Sequence, residues 1–201
     1  MLNTLQEALK FFDRDHIRLA ADTSFKLSRS LRVNGFSNKR VPRESVYDQE
    51  MIRILSNWLV IQHKYSVTGQ WHTVDYTMQG NPEGKHKFLD IVIKKPGEQT
   101  IVLEFLATGE KSFIENHVEK TPEYKSRISA DVAWVIHFTC EDDYLGHAYW
   151  PSDKLLNDGI YMVHIWHNAD FTEVLTSACW KEENGTIGKF EKKSLEDKWF
   201  D

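Results

Sequence analysis

The sequence predicts an α/β domain in which a mixed central β-sheet is flanked by helices. Apolar residues recur at helical spacing from about 44 to 63, which predicts one amphipathic helix. Three runs rich in β-branched residues follow, at 88–95, 100–107 and 131–139. The turn Pro96-Gly97-Glu98-Gln99 makes the first two runs a hairpin. These observations give the order helix, hairpin, strand for the centre of the chain.

The remaining elements follow from weaker patterns. A polar stretch at 111–129 suits a surface helix that starts afresh or kinks at its proline. The first forty residues, including an amphipathic stretch at about 24–33, are expected to be helical. A further strand is expected at 160–166, and Glu183-Asn184-Gly185-Thr186 suits a hairpin turn. His164 and His167 lie in or beside that strand; residues three apart in a strand point to opposite faces, so we interpret them as structural.

This reading divides the chain into three parts. A helical, basic N-terminal extension covers 1–42, a core covers 43–180, and a charged hairpin or tail covers 181–201.

Composition excludes several classes of protein. The 201 residues are 41% apolar, which is enough to bury a core. The longest apolar runs, 58–61 and 132–136, are far shorter than a membrane span, so no membrane partner is expected. The N-terminus has no apolar signal segment, and the two cysteines are too few for a disulfide framework. We therefore expect an intracellular protein.

Charge is distributed unevenly along the chain, whose net charge is −5. Between Lys26 and Arg43 there are six basic residues and no acidic one. Such a basic arm is typical of a surface that binds nucleic-acid phosphates, although a simple solvated surface gives the same pattern. The nucleic-acid-binding candidates are Arg29, Arg32, Lys39, Arg40 and Arg43.

Two carboxylates occur inside the apolar runs of the predicted hairpin. Asp90 is six residues before Pro96 and Glu104 is seven after Gly97, so the two should be neighbours across the strand pair. Burying an ionised carboxylate is costly unless it has a partner. Two adjacent carboxylates also repel each other unless a cation lies between them. The sequence therefore predicts a site for a hard divalent metal ion.

Glu50 is the third candidate metal ligand, because it shares the helix stripe with Met51 and Ile54. A helix packed on the sheet could bring Glu50 beside Asp90 and Glu104. The alternative is that Glu50 pairs with a neighbour such as Arg53 or Arg43.

At this point the pattern resembles the PD-(D/E)xK nuclease superfamily over roughly 43–140. The stretches 46–55, 88–90 and 103–110, followed by His117, are similar to the nuclease-like C-terminal domains of Crinkler-type proteins of fungi and oomycetes. The resemblance implies a restriction-endonuclease-like core that hydrolyses DNA with Mg²⁺ or Mn²⁺. Members of that family are associated with effectors acting in nuclei, so the resemblance also implies a nuclear site of action.

One position departs from the superfamily pattern. The lysine expected two residues after the second acid is Leu106 here. His117 and Lys120, on the following helix, are the candidate replacements, with Lys94 and Lys125 as weaker ones. Without a replacement the chain would be a nuclease-fold pseudoenzyme that binds nucleic acid or a protein partner, and a plain interaction module is a third interpretation. Homo-oligomerisation is left open.

Overall fold

The computed structural model describes residues 1–75 and 85–195. Within them, seven strands form one mixed sheet, a two-stranded sheet lies before it, and helices cover both faces. The α/β class and the mixed sheet are confirmed. The last part of the 181–201 segment lies outside the described residues. None of the helices in the described part is long and apolar enough to cross a bilayer.

The helices and strands have the following bounds. In order they are α1 (Leu2–Leu9), α2 (Arg14–Thr23), β1 (Phe25–Leu27), β2 (Arg40–Pro42), α3 (Glu44–Leu55) with a π-helical continuation (Ser56–Gln62), β3 (Ser66–Asp75), β4 (Lys85–Lys94), β5 (Ile101–Leu106), α4 (Lys111–Arg127), β6 (Val132–Thr139), a 3₁₀ turn (Tyr144–Gly146), α5 (Asp153–Asn157), β7 (Ile160–His167), β8 (Val174–Lys181) and β9 (Ile187–Ser194).

The large sheet has its strands in sequence order, β3 to β9. The predicted hairpin is present, with Ile91 of β4 opposite Leu103 of β5 in antiparallel register. Strands β5, β6 and β7 are parallel, so α4 is the crossover helix between β5 and β6, and it continues through Pro122. The pairs β3–β4, β7–β8 and β8–β9 are antiparallel. The hairpin predicted near 183–186 is present as β8–β9.

Two apolar layers enclose the sheet. Helices α1, α2 and α3 pack on one face, and α4 and α5 pack on the other. Phe138 of β6 lies at the centre of the first layer, where Tyr47 stacks on it at 4.1 Å between ring centroids and Phe12 at 5.8 Å. This stack fixes α3 against the sheet.

The expected helix at 24–33 is wrong. Lys26 of β1 instead lies opposite Val41 of β2, and the Ser28 N–H donates to the Lys39 carbonyl. Arg29 has a positive φ of 54°, which a right-handed helix does not allow. Long-range pairing with β2 has replaced the local helical preference.

Strand β3 was not anticipated from the sequence. Gly69 and Gln70 weaken its strand signal, and Gln70 has a positive φ of 50°. A Cβ on Gly69 would collide with the Ile52 side chain, so the glycine lets α3 lie directly on β3. The strand is specified by tertiary contact instead of by local propensity.

His164 and His167 do face opposite layers, as predicted. The Nε2 of His164 donates to the Tyr149 carbonyl at 2.7 Å, whereas the Nε2 of His167 bonds the Tyr47 hydroxyl at 2.8 Å. Both rings are buried in the core.

Replacing Phe138 with alanine should lower the free energy of unfolding by about 3–5 kcal/mol, because it opens a cavity beneath α3. Urea unfolding measures this. Phe36→Ala is the matched control, since that ring is 64% exposed and its loss should cost well under about 1 kcal/mol. Equal losses in the two variants would contradict the proposed role of the stack.

Candidate active site

Asp90 and Glu104 meet where the β4–β5 ladder ends. The backbone pairing of β4 with β5 ends at Ile91 and Leu103, next to the two acids. Strand β5 continues beside β6 to Leu106. At the next position, Oδ2 of Asp90 accepts a hydrogen bond from the Phe105 N–H at 2.7 Å. A side chain of β4 thus bonds the backbone of β5, and it holds the Asp90 carboxyl group beside Glu104.

Burial dominates the electrostatics of this pair, and the charge of Glu104 adds to its effect on Asp90. Burial, followed by the charge of Glu104, raises the pKa of Asp90 to about 8. The Phe105 N–H acts in the opposite direction and is outweighed. Burial also raises the pKa of Glu104, whose side chain is only 4% exposed. Both groups are therefore costly to ionise without a counter-charge.

Asp48 and Glu44, one turn apart on α3, also contribute to the raised pKa of Asp90. Burial raises the pKa of Asp48 itself. The Gln70 amide donates to Oδ2 of Asp48 at 3.4 Å, and this is the contact that β3 adds to the site. Sequence analysis missed Asp48 and Gln70, because helix periodicity alone did not show which acid of α3 faces the hairpin.

Three buried polar atoms at this location have no hydrogen-bond partner among the residues that the structure describes. They are Oδ1 of Asp48, Oε1 of Glu104 and Nε2 of His117. Buried polar atoms are normally satisfied, so unpartnered atoms of this kind suit a site that a ligand completes. The chemistry of the set, mostly carboxylate oxygens, suits a hard cation.

His117 is the cationic candidate closest to the carboxylates. Its Nε2 lies 3.5 Å from Oε2 of Glu104, and its ring contacts Tyr124 edge-on at 6.0 Å. His117 and Tyr124, seven residues apart, therefore share one face of α4.

The lysines considered as replacements lie elsewhere. Lys120 is on the exposed side of α4. Nζ of Lys94 lies 4.1 Å from the centroid of the Trp71 ring, and Nζ of Lys125 donates to the Asp158 carbonyl at 2.7 Å. Leu106 is buried in the apolar layer beneath α4, where its side chain packs.

Glu50 does not join the carboxylate pair. It is buried, but its Oε2 accepts from the Arg53 guanidinium at 2.6 Å and from the Asp13 N–H at 2.9 Å. Its Oε1 accepts from Nε of Arg53 at 3.2 Å. The ion pair weighed as the alternative is thus the one observed, and Glu50 ties α3 to the start of α2.

The basic arm does not form a single surface. The Arg40 guanidinium lies over the Phe25 ring at 4.4 Å and pairs with Asp22 at 3.4 Å. Nζ of Lys39 lies 4.9 Å from the centroid of the Phe36 ring, and Arg32 is exposed. Arg29 and Arg43 line a cavity near the start of α4.

The described residues do not form a closed metal cage around the carboxylates. No group of three or more His, Cys, Asp or Glu side chains in 1–75 and 85–195 is arranged so that it could hold a metal ion. Mg²⁺ commonly keeps several waters and uses one or two protein carboxylates together with substrate phosphates. Asp90 and Glu104 place two carboxylates at this end of the ladder.

Comparison with known proteins adds no relative. No family model matches the chain, and neither a curated protein nor a solved structure matches it.

Asp90→Asn should stabilise the metal-free protein, and more so at high pH. The pKa of Asp90 is about 8 in the fold against an ordinary 3.8, so the folded state holds the proton more tightly. Ionisation therefore removes stability as the pH rises from about 4 to about 8. Melting temperatures in EDTA should show the variant's advantage increasing from pH 4.5 to 8.5.

The control for this comparison is Asp22→Asn, whose carboxylate is 76% exposed. Its melting temperature should follow that of the wild type at every pH. A constant difference between Asp90→Asn and the wild type over that range would contradict the assignment.

Proposed function

We propose that the chain is a metal-dependent phosphodiesterase that hydrolyses the DNA backbone at Asp90, Glu104 and Asp48. The observation that carries this proposal is the group of buried and half-buried acids at the end of the β4–β5 ladder. Unpartnered oxygens of Asp48 and Glu104 lie there, and the pKa of Asp90 is raised to about 8. Such a group is costly in a stable fold unless its charge is used.

The order of elements supports the same proposal. Helix α3, the β4–β5 hairpin, helix α4 and the parallel strand β6 occur in the order on which the resemblance to PD-(D/E)xK nucleases rests. Asp90 and Glu104 lie on the two hairpin strands, where that resemblance requires the acids. We therefore include a restriction-endonuclease-like core in the proposal.

Mg²⁺ or Mn²⁺ would be held by Asp90 and Glu104. When bound, such an ion acidifies a water and neutralises charge on the phosphate. Ion binding also relieves the repulsion between the two carboxylates. We assign the place of the third acid to Asp48 in preference to Glu50, because both oxygens of Glu50 already accept hydrogen bonds.

The side chains around the pair suit the proton transfers of hydrolysis. A water oxygen forms a bond to phosphorus while one ester P–O bond breaks. Oδ1 of Asp48 accepts no hydrogen bond from the described residues and can accept the water proton, and the Nε2 of His117, when it carries a proton, can give it to the leaving oxygen. His117 also takes the electrostatic role for which Lys120 was considered, since it contacts Glu104.

Nicking of supercoiled plasmid with Mg²⁺ or Mn²⁺ tests the proposal. Asp90→Asn and Glu104→Gln should each reduce nicking by roughly 100-fold or more, because even the loss of an outer-shell partner costs about 10–100-fold. Asp48→Asn should also reduce it. Titration calorimetry with Mn²⁺ should show the matching loss of metal binding.

The matched control is Glu50→Gln, an acid two residues from Asp48 on the same helix. It should keep wild-type nicking per folded molecule and lower only the melting temperature, because it weakens the contacts with Arg53 and Asp13. If Glu50→Gln abolished nicking while Asp48→Asn did not, the third-acid assignment would be wrong.

A second candidate function is a nuclease-fold pseudoenzyme that binds nucleic acid without cleaving it. The packing of Leu106 in the apolar layer beneath α4 favours this alternative. Wild-type protein that binds DNA and Mn²⁺ but does not nick plasmid would support it over the first.

The proposal also includes a nucleic-acid partner. It includes a nuclear site of action, because the family that the chain resembles is associated with effectors acting in nuclei.

Replacing Arg32, Lys39 and Arg40 with glutamine should weaken binding to all duplexes alike. The slope of log affinity against log salt should flatten by roughly two to three units, because each phosphate contact contributes about −0.9. An unchanged slope would mean that these residues do not contact phosphate and form only a solvated surface.

A further inference from the structure

A cavity of about 540 Å³ lies between β1, the start of α3 and the start of α4. Three cationic side chains and one carboxylate contribute to its lining: Lys26, Arg29, Arg43 and Glu110. The cavity therefore carries an excess of positive charge in a chain whose net charge is −5. Such a concave cationic surface attracts an anion.

The Glu110 carboxylate in the lining already has a partner within the protein. Oε1 of Glu110 accepts a hydrogen bond from the Ser30 hydroxyl at 2.9 Å. Arg43 is held by a bond from its Nε to the Phe25 carbonyl at 2.6 Å, which uses one of its five N–H donors. The guanidinium is thus positioned with donors left for a ligand.

Lys26 connects this cavity with the carboxylates of the candidate active site. Its Nζ lies 3.5 Å from Oε1 of Glu44, and the charge of Glu44 acts on both Asp90 and Asp48. The Lys26 side chain is 29% exposed. Burial lowers its pKa, Glu44 opposes that shift, and Arg29 and Arg43 add to it. Lys26 therefore lies among like charges that a bound anion would relieve.

We infer that this cavity binds one phosphate group of the nucleic-acid strand whose neighbouring phosphodiester lies at Asp90 and Glu104. This inference rests on the proposed function, and it adds Lys26 to the residues that contact substrate. The phosphate is either internal to the strand or the terminal 5′-phosphate, because both present the same oxygens to lysine and arginine.

Inorganic phosphate tests the cavity without any need for catalysis. At constant ionic strength and in EDTA, phosphate at ten times its dissociation constant should raise the wild-type melting temperature by about 3–5 °C. Lys26→Gln/Arg29→Gln should lose this rise. The control Arg18→Gln/Lys154→Gln removes the same charge at exposed positions outside the cavity lining, and should keep it.

Arg29→Gln alone is the second variant in case the double variant folds poorly. Arg29 is exposed, and its substitution should reduce the phosphate-induced rise by at least half. Wild-type protein that shows no rise, or a cavity variant that keeps the full rise, would overturn the inference.

Binding in EDTA to three DNAs separates the two sources of phosphate. If the cavity variant binds the 5′-phosphorylated duplex roughly tenfold more weakly than the wild type does, but binds the 5′-hydroxyl duplex equally well, the cavity binds the terminal phosphate. An equal loss on both linear duplexes and on a closed circle, larger than in the control variant, indicates an internal phosphate. Affinities unchanged from the control on all three would refute the inference.

The failure of this inference is distinguishable from the failure of the proposed function. Absence of nicking with an intact phosphate effect would refute the phosphodiesterase and leave the cavity as an anion site. Nicking that depends on Asp90, with no phosphate effect, would refute only the cavity.

Discussion

The bond from the Phe105 N–H to the Asp90 carboxyl group is the contact on which the candidate site depends. It lies where the β4–β5 ladder ends, and it keeps Asp90 beside Glu104 although both are costly to bury. Helix α3 covers one face of this point and α4 the other, so their packing deepens the burial that raises the pKa of both acids. The fold thus buries acidic groups whose charge the proposed cation would neutralise.

Much of the fold around that bond was predictable because it follows from local signals. Pro96 and Gly97 place the hairpin, and β-branched runs on either side fix its strands. The two carboxylates could be paired by counting from the turn. The proposed third acid could not be identified from the sequence, because Asp48 and Glu50 are two residues apart on one helix and the apolar stripe of that helix is broad. Only tertiary contacts, Gln70 with Asp48 and Arg53 with Glu50, separate them.

The incorrect and missing elements share one physical cause. The stretch at 24–33 has helical spacing, yet Lys26 pairs with Val41 across a long connection. Strand β3 contains a glycine and a glutamine with a positive φ, yet it pairs with β4 over most of its length. In both cases long-range strand pairing overrides local preference. The position of Lys26 beside Glu44 follows from the first of these pairings, so no motif search over the sequence could have placed it there.

Glu44 links the two charged regions of the molecule. It pairs with Lys26 on the cavity side and adds negative potential at Asp90 and Asp48 on the other. A phosphate that engaged Lys26 would weaken the hold of Lys26 on Glu44 and strengthen the negative potential that attracts a cation. Binding free energies are reciprocal, so a cation at the carboxylates would favour phosphate in the cavity by the same factor. Substrate and metal would therefore bind cooperatively through one carboxylate that need not touch either of them.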